Sequence, residues 1–313
     1  MKSRLVPCLG AVLLLATIAA TAAIAATPPP TPPESGQVWK APGASLYYEV
    51  LGGGPGTPLV VANGGPGFDH SYLHVSTVWN ELAKGRPVVL YDQRGNHRSG
   101  ALQPGQTCTL ADQIADLEAL RDHLGYGKID LLGHSWGGYL AMAYAARHPE
   151  RIERLILVDS AAPKWTDTIF LFKDVFPEGT ERQNALGFAE TLGDKAAMEG
   201  DTHEYLGMLF YSPEKRDAFL AGSQSYVYNA EVNQAVNADL GRFDLNPELP
   251  KFHFPTLILT GRFDMNSAPA TAFRTHHAIA GSKFVVFEKS GHLPFYEEPE
   301  AFLKVVGDFL AGR

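Results

Sequence analysis

The chain predicts an α/β fold in which a mostly parallel sheet is flanked by helices and interrupted by one helical insertion. Three observations carry this expectation. Short, unbroken apolar runs recur along the chain, as buried parallel strands require. Helical patterns separate them. Between residues 163 and 250 the alternation stops, then resumes.

The first residues stand outside that fold. Lys2 and Arg4 precede an apolar run over residues 9–20, and Ala23-Ile24-Ala25 offers a small-residue cleavage site. Residues 1–25 are therefore expected to be a signal peptide and the product exported, to the periplasm or beyond, without stable membrane insertion after cleavage. An uncleaved anchor is the competing reading, since residues 5–26 could almost span a bilayer. Residues 26–36, with the run TPPPTPP, form a proline-rich linker. Cys8 is in the wrong context for lipid attachment. Cys108 would be the one cysteine left, which excludes an internal disulfide and leaves an unreactive thiol as its reading.

The formal charge is −8, and loss of Lys2 and Arg4 would make it −10, which argues against a nucleic-acid surface. No cluster with metal-ligand spacing is legible, and the chemistry is expected to need neither metal nor organic cofactor. His276 and His277 are adjacent, so on a helix they point about 100° apart and chelate poorly.

In order, residues 45–51 (SLYYEVL) alternate like a strand, and residues 58–63, 88–91, 129–132 and 155–159 are short apolar runs. Leu110, Ile114, Leu117, Leu120 and Leu124 make a helical stripe, and an alanine-rich helix over residues 137–148 is stopped by Pro149. Strand signals return at residues 256–260 and 283–287, followed by a helix over 301–310. Residues 37–162 and 251–313 thus form the core. Residues 163–250 form a helical lid over the carboxyl ends of the strands, where open α/β sheets bind ligands.

Those strand ends carry the chemistry. Gly133-His134-Ser135-Trp136-Gly137 matches G-x-S-x-G, a strand-to-helix turn that lifts a serine hydroxyl out of the backbone. Asp264 and His292 each follow a later strand. A serine needs an imidazole to take its proton, and the imidazole needs a carboxylate to orient it, so Ser135, His292 and Asp264 are the candidate catalytic residues. Asp159 also ends a strand and is the alternative carboxylate; His134 is read as packing. Asn63-Gly64-Gly65-Pro66-Gly67 allows close backbone approach, and because Pro66 lacks an N–H the useful donor is Gly65. With the Trp136 amide it would form an oxyanion hole.

These motifs resemble the proline iminopeptidase branch of the α/β-hydrolase superfamily, over roughly residues 37–313. The chain order Ser135, Asp264, His292 is that of α/β-hydrolases. Asn63-Gly64-Gly65-Pro66-Gly67 stands where the family has His-Gly-Gly-Pro-Gly. Asp92-Gln93-Arg94-Gly95-Asn96-His97-Arg98-Ser99 is similar to its Asp-Gln-Arg-Gly-x-Gly-x-Ser, with Asp92 and Arg94 read as a loop-holding ion pair. The resemblance implies an α/β-hydrolase fold and release of an N-terminal residue, often proline, from peptides or amides. It also implies lid glutamates that bind the substrate's free amine: Glu231, in Tyr-Asn-Ala-Glu-Val, and Glu204, placed by its distance before Ser212-Pro213. An esterase or carbon–carbon bond hydrolase with the same triad is the rival enzyme, and a ligand receptor on a hydrolase scaffold is the non-enzyme rival. The expected partner is a small peptide, amide or ester; the sequence leaves oligomeric state open.

Overall fold

The computed structural model describes residues 36–222 and 227–313. The signal and most of the linker expected at the N-terminus lie outside those residues. Eight strands form one sheet in the order β1-β2-β4-β3-β5-β6-β7-β8. They are β1 Gln37–Ala41, β2 Ala44–Gly52, β3 Leu59–Ala62, β4 Pro87–Asp92, β5 Ile129–His134, β6 Ile152–Val158, β7 Thr256–Gly261 and β8 Lys283–Phe287. The pairs β1–β2 and β2–β4 are antiparallel, and every later pair is parallel.

Burial explains why the central strands read as unbroken apolar runs. Every residue of β3, β5 and β7 is buried, because helices cover both faces. The edge strand β1 escaped the sequence reading for the opposite reason. Only Ala41 of its five residues is buried, so it has no apolar run to detect.

The helices are α1 Val78–Leu82, α2 Leu110–His123, α3 Trp136–Arg147, α4 Phe172–Val175, α5 Pro177–Thr191, α6 Lys195–Gly207, α7 Pro213–Gly222, α8 Ala230–Leu240, α9 Pro269–Ala278, α10 Pro294–Glu297 and α11 Pro299–Leu310. Thr109 starts α2 with a reciprocal cap, its side chain accepting from the Asp112 amide while the Asp112 carboxylate accepts from the Thr109 amide. Helix α11 buries Phe302, Val306, Phe309 and Leu310 against the sheet and leaves its charged face outward. Helices α4 to α8 fall between β6 and β7. No helix among the described residues is long and apolar enough to cross a membrane.

Backbone bonds tie this inserted segment to the loops beneath it. The Asn229 amide donates to the Gly67 carbonyl at 2.8 Å, Asp69 N to Val227 O at 3.2 Å, and His292 N to Leu209 O at 2.7 Å.

Candidate active site

Strand β5 ends at His134 and α3 begins at Trp136, so Ser135 alone must turn the chain. It does so at φ 57° and ψ −123°, a region that costs a non-glycine residue about 1–3 kcal/mol. Neighbouring backbone holds it there. Ser135 N donates to Val158 O at 2.9 Å, and Ser135 O accepts from Gly138 N at 2.9 Å and Ala161 N at 3.2 Å. The flanking glycines exist because α3 sits directly on the sheet. A Cβ at Gly133 would lie 2.2 Å from Gly137 O, and one at Gly137 would lie 2.0 Å from Ala62 O.

Asp264 follows β7 and His292 follows β8, so adjacent parallel strands bring them to one edge. His292 Nδ1 lies 2.9 Å from Asp264 Oδ2. Asp264 Oδ1 accepts from the amides of Asn266 and Ser267, each at 2.9 Å. Burial opposes ionisation of Asp264, but His292, the Ser267 amide and Asp159 outweigh it and hold the carboxyl below its ordinary range. The alternative carboxylate, Asp159, accepts from Gly261 N at 2.8 Å. Complete burial, then the charge of Asp264, push Asp159 well above the usual range. The two carboxyls therefore share one proton, carried by Asp159 and directed at Asp264.

His292 Nε2 lies 3.0 Å from Asn266 Nδ2. An amide nitrogen only donates, so Nε2 presents a lone pair and Nδ1 carries the proton. That tautomer suits a base. Ser135 and His292 line the same cavity, although no hydrogen bond joins the Ser135 hydroxyl to His292 among the described residues; Asn266 holds the ring instead.

His134 is buried beside the serine. Its Nε2 donates to the His292 carbonyl at 2.8 Å, and its Nδ1 accepts from the Tyr72 hydroxyl at 2.7 Å. Tyr72 in turn accepts from Gly64 N at 2.6 Å. Burial, with His292 adding to it, pushes His134 down to about 3. Gly65 lines the cavity with Ser135, and the Trp136 amide opens α3. Neither amide donates to a backbone acceptor among the described residues.

The cavity has two lobes that meet at Gly65, Phe68, Ser135 and Tyr205. The smaller, of about 30 Å³, is walled by Tyr72, Leu206, Leu209, Phe219 and Leu293. The larger, of about 230 Å³, is polar and includes Gln183, Asp201, Thr202, Asn237 and Asn266. Asp201 is the one carboxylate among the described residues lining it. Burial raises its carboxyl, Gln183 opposes this with a hydrogen bond, and Glu204 adds to it.

The structure places both glutamates expected from the lid outside this cavity. Glu204 turns away from the cavity into a separate groove, where Oε1 pairs with Arg182 Nε at 2.9 Å. Glu231 is exposed in the first turn of α8 and lines neither lobe. Helix phase explains the miss in α6: Asp201 and Tyr205 are four residues apart and share the inward face, whereas Glu204 is rotated about 100° from Tyr205. Asn266 was also missed, though it lies two residues beyond Asp264 in the same loop.

The expected Asp92–Arg94 pair is not formed. Asp92 Oδ1 receives His70 N at 3.0 Å and lies 2.5 Å from His70 Nδ1. Arg94 reaches α2 and makes a fork to Asp116 at 2.6 and 2.7 Å. The bidentate geometry of Asp116 on a facing helix wins over a neighbour two residues away. Cys108 is a buried free thiol, pushed up to about 11 by burial.

Metal-competent donors come together in two places within the described residues, Asp159 with Asp264 and His292, and Glu49 with His70 and His74. The first is the proton-sharing group above. The second was invisible in sequence, because its donors come from a strand and a short helix brought together only by folding.

Comparison with known proteins places these features. Residues 57–299 match the family model described as alpha/beta hydrolase fold. The chain is 34% identical over 280 residues to a proline iminopeptidase of Clostridium botulinum, covering 84% of this chain and 94% of that one. It is 33% identical over 272 residues to a proline iminopeptidase of Heyndrickxia coagulans, covering 82% and 91%. Among solved structures, an esterase from Exiguobacterium antarcticum superposes with a TM-score of 0.69 at 26% identity, covering 88% of this chain and 99% of that one.

Proposed function

Because the chain belongs to the alpha/beta hydrolase fold family, in its proline iminopeptidase branch, and is a serine hydrolase of the aminopeptidase type, we propose that it releases a small apolar N-terminal residue, proline or alanine, from short peptides and amides. One observation carries the choice of substrate. Ser135 sits where a small apolar lobe meets a polar lobe bearing a carboxylate. An N-terminal residue has that pairing of features: an apolar side chain and a charged α-amine on the same carbon. Asp201 is the amine's partner in this reading, and a shielded charge-assisted bond of this kind contributes roughly 1.5–3 kcal/mol.

The reaction follows from the orientation of the His292 ring, with Nδ1 on Asp264 and Nε2 toward the cavity. Its Nε2 lone pair takes the Ser135 hydroxyl proton as Oγ bonds to the carbonyl carbon, Ser135 replacing Asn266 at the ring. The Gly65 and Trp136 amides receive the oxyanion, each contributing about 3 kcal/mol to the transition state. The proton passes from His292 to the departing amine as the C–N bond breaks. Water, deprotonated by His292, then opens the acyl-enzyme, and the amino acid leaves. Asp264 fixes the imidazole and stabilises its cation.

Residues 163–250 act as the lid in this scheme. Support comes from their bonds to the glycine loop at Gly67 and to His292 N. Export through residues 1–25 is part of the same proposal. Its test is an intact mass of the periplasmic or secreted protein, which should lack those residues.

An esterase reading is kept because a solved esterase shares the fold at 26% identity. Prolyl- and alanyl-arylamides should be assayed beside acetyl and butyryl esters. Arylamide turnover with a lower kcat/KM on the esters is expected. Ester turnover with inert arylamides overturns the peptidase reading, and failure on both classes favours the receptor.

A further inference from the structure

We propose that Glu49, His70 and His74 form a structural site for a divalent transition metal, zinc or a similar borderline ion, beneath the glycine loop. The donors are arranged as such a site needs. His70 Nε2 lies 3.4 Å from Glu49 Oε1, His74 Nε2 lies 3.0 Å from Glu49 Oε2, and all three donors fall within 4.8 Å of one another. Ligands bound at about 2.0–2.1 Å around a tetrahedral ion sit roughly 3.3 Å apart, so little movement would close the site. The donor set, two imidazoles and one carboxylate, is one that zinc takes, leaving a fourth position for solvent.

Two further observations point to a ligand. Glu49 and His70 are 1% and 0% exposed, yet apart from their contacts with one another Glu49 Oε2, His70 Nε2 and His74 Nε2 have no hydrogen-bond partner among the described residues. Buried polar atoms are rarely left so. The outer shell is also present. His70 Nδ1 faces Asp92 Oδ1 at 2.5 Å, the carboxylate–histidine arrangement that fixes a ligating ring with Nε2 toward a metal. Tyr47 donates to Glu49 Oε1 at 2.9 Å and orients that carboxylate. The carboxylates of Glu49 and Asp92 balance a divalent charge, and Arg98, 3.8 Å from Glu49 Oε1, is the nearby guanidinium at the rim.

Position suggests what the ion does. Glu49 lies on β2, both histidines lie on the short 3-10 helix His70–Val75, and Asp92 ends β4. That helix continues directly from the loop carrying Gly65 and also contains Tyr72. A metal here would fasten the glycine loop to the sheet and so stiffen one wall of the cavity, without entering the chemistry.

The test uses untagged, EDTA-stripped protein titrated with Zn²⁺ and, separately, Co²⁺. One equivalent of zinc per chain is expected to remain after desalting, with a rise of about 5 °C in apparent Tm at saturating zinc. Cobalt should give visible d–d absorption of a four- or five-coordinate site. His74→Gln, at the rim of the cluster, and Glu49→Gln should each abolish the cobalt band and the zinc-dependent part of Tm. Substoichiometric zinc with no Tm shift overturns the site, and would assign the cluster to a protonated histidine between carboxylates. Metal uptake unchanged in both variants overturns it equally.

Discussion

His134 Nε2 donates to the main-chain carbonyl of His292 at 2.8 Å, joining the turn before the serine to the loop after β8. The same ring accepts from Tyr72, which accepts from Gly64, so one side chain links three loops of the cavity. A carbonyl can only accept, so the proton sits on Nε2 and Nδ1 is free to accept. The residue read from sequence as packing is therefore a positioning residue, and its neutrality is a condition of the arrangement.

Acid should expose that condition. Folding depresses His134 from 6.5 to about 3. Between those values the unfolded chain binds a proton that the folded chain refuses. Its stabilising contribution is thus complete above 6.5 and declines as pH falls toward 3, by up to about 1.4 kcal/mol per pH unit. Urea unfolding at pH 7 and pH 5 should show this loss in the wild type and a shallower one in His134→Gln. Parallel pH profiles would refute it.

Ser135→Ala should fold normally, remain unlabelled by a fluorophosphonate probe and lose arylamide turnover. Proteolysis and peptide mass mapping of the labelled wild type should place the adduct on the peptide containing Ser135. Labelling that persists in the variant removes Ser135 as nucleophile.

The shared proton between Asp159 and Asp264 separates their roles. Asp264→Asn should lower kcat about 10³-fold or more, since an amide cannot hold the imidazole in the required tautomer. Asp159→Asn should cost less than about 10-fold, because its amide still donates to Asp264 as the protonated acid does. Comparable losses in both variants would place the proton wrongly.

Asp201→Asn should lower kcat/KM about 10-fold or more on an alanyl- or prolyl-arylamide, with little change on the N-acetylated alanyl counterpart. Glu204→Gln and Glu231→Gln should stay within about 3-fold on both substrates. If Glu204 matters and Asp201 does not, the polar lobe is not the amine site.

How much was legible in the sequence can be seen in particular elements. Strands β3, β5 and β7 were readable because burial on both faces demands continuous apolar residues, and that demand is written locally. The glycines around Ser135 were readable for a similar reason: a Cβ there would meet backbone within about 2 Å, so no other residue fits. The candidate nucleophile, base and carboxylate each follow a strand of a parallel sheet, and the topology rule alone sends them to one edge.

Partner choice belongs to the tertiary structure. Arg94 takes Asp116 instead of Asp92, Asp201 faces the cavity while Glu204 faces a groove, and Glu49 meets His70 and His74 from a different element. Periodicity tells which face of an element is apolar but not which polar residue on it will meet which partner, because that depends on the phase and separation of packed elements to within an ångström or two. Side-chain chemistry and the succession of core strands and helices along the chain were properties of the sequence; the pairing of charges, the shape of the cavity and the gathering of distant donors arise only when the helices close over the sheet.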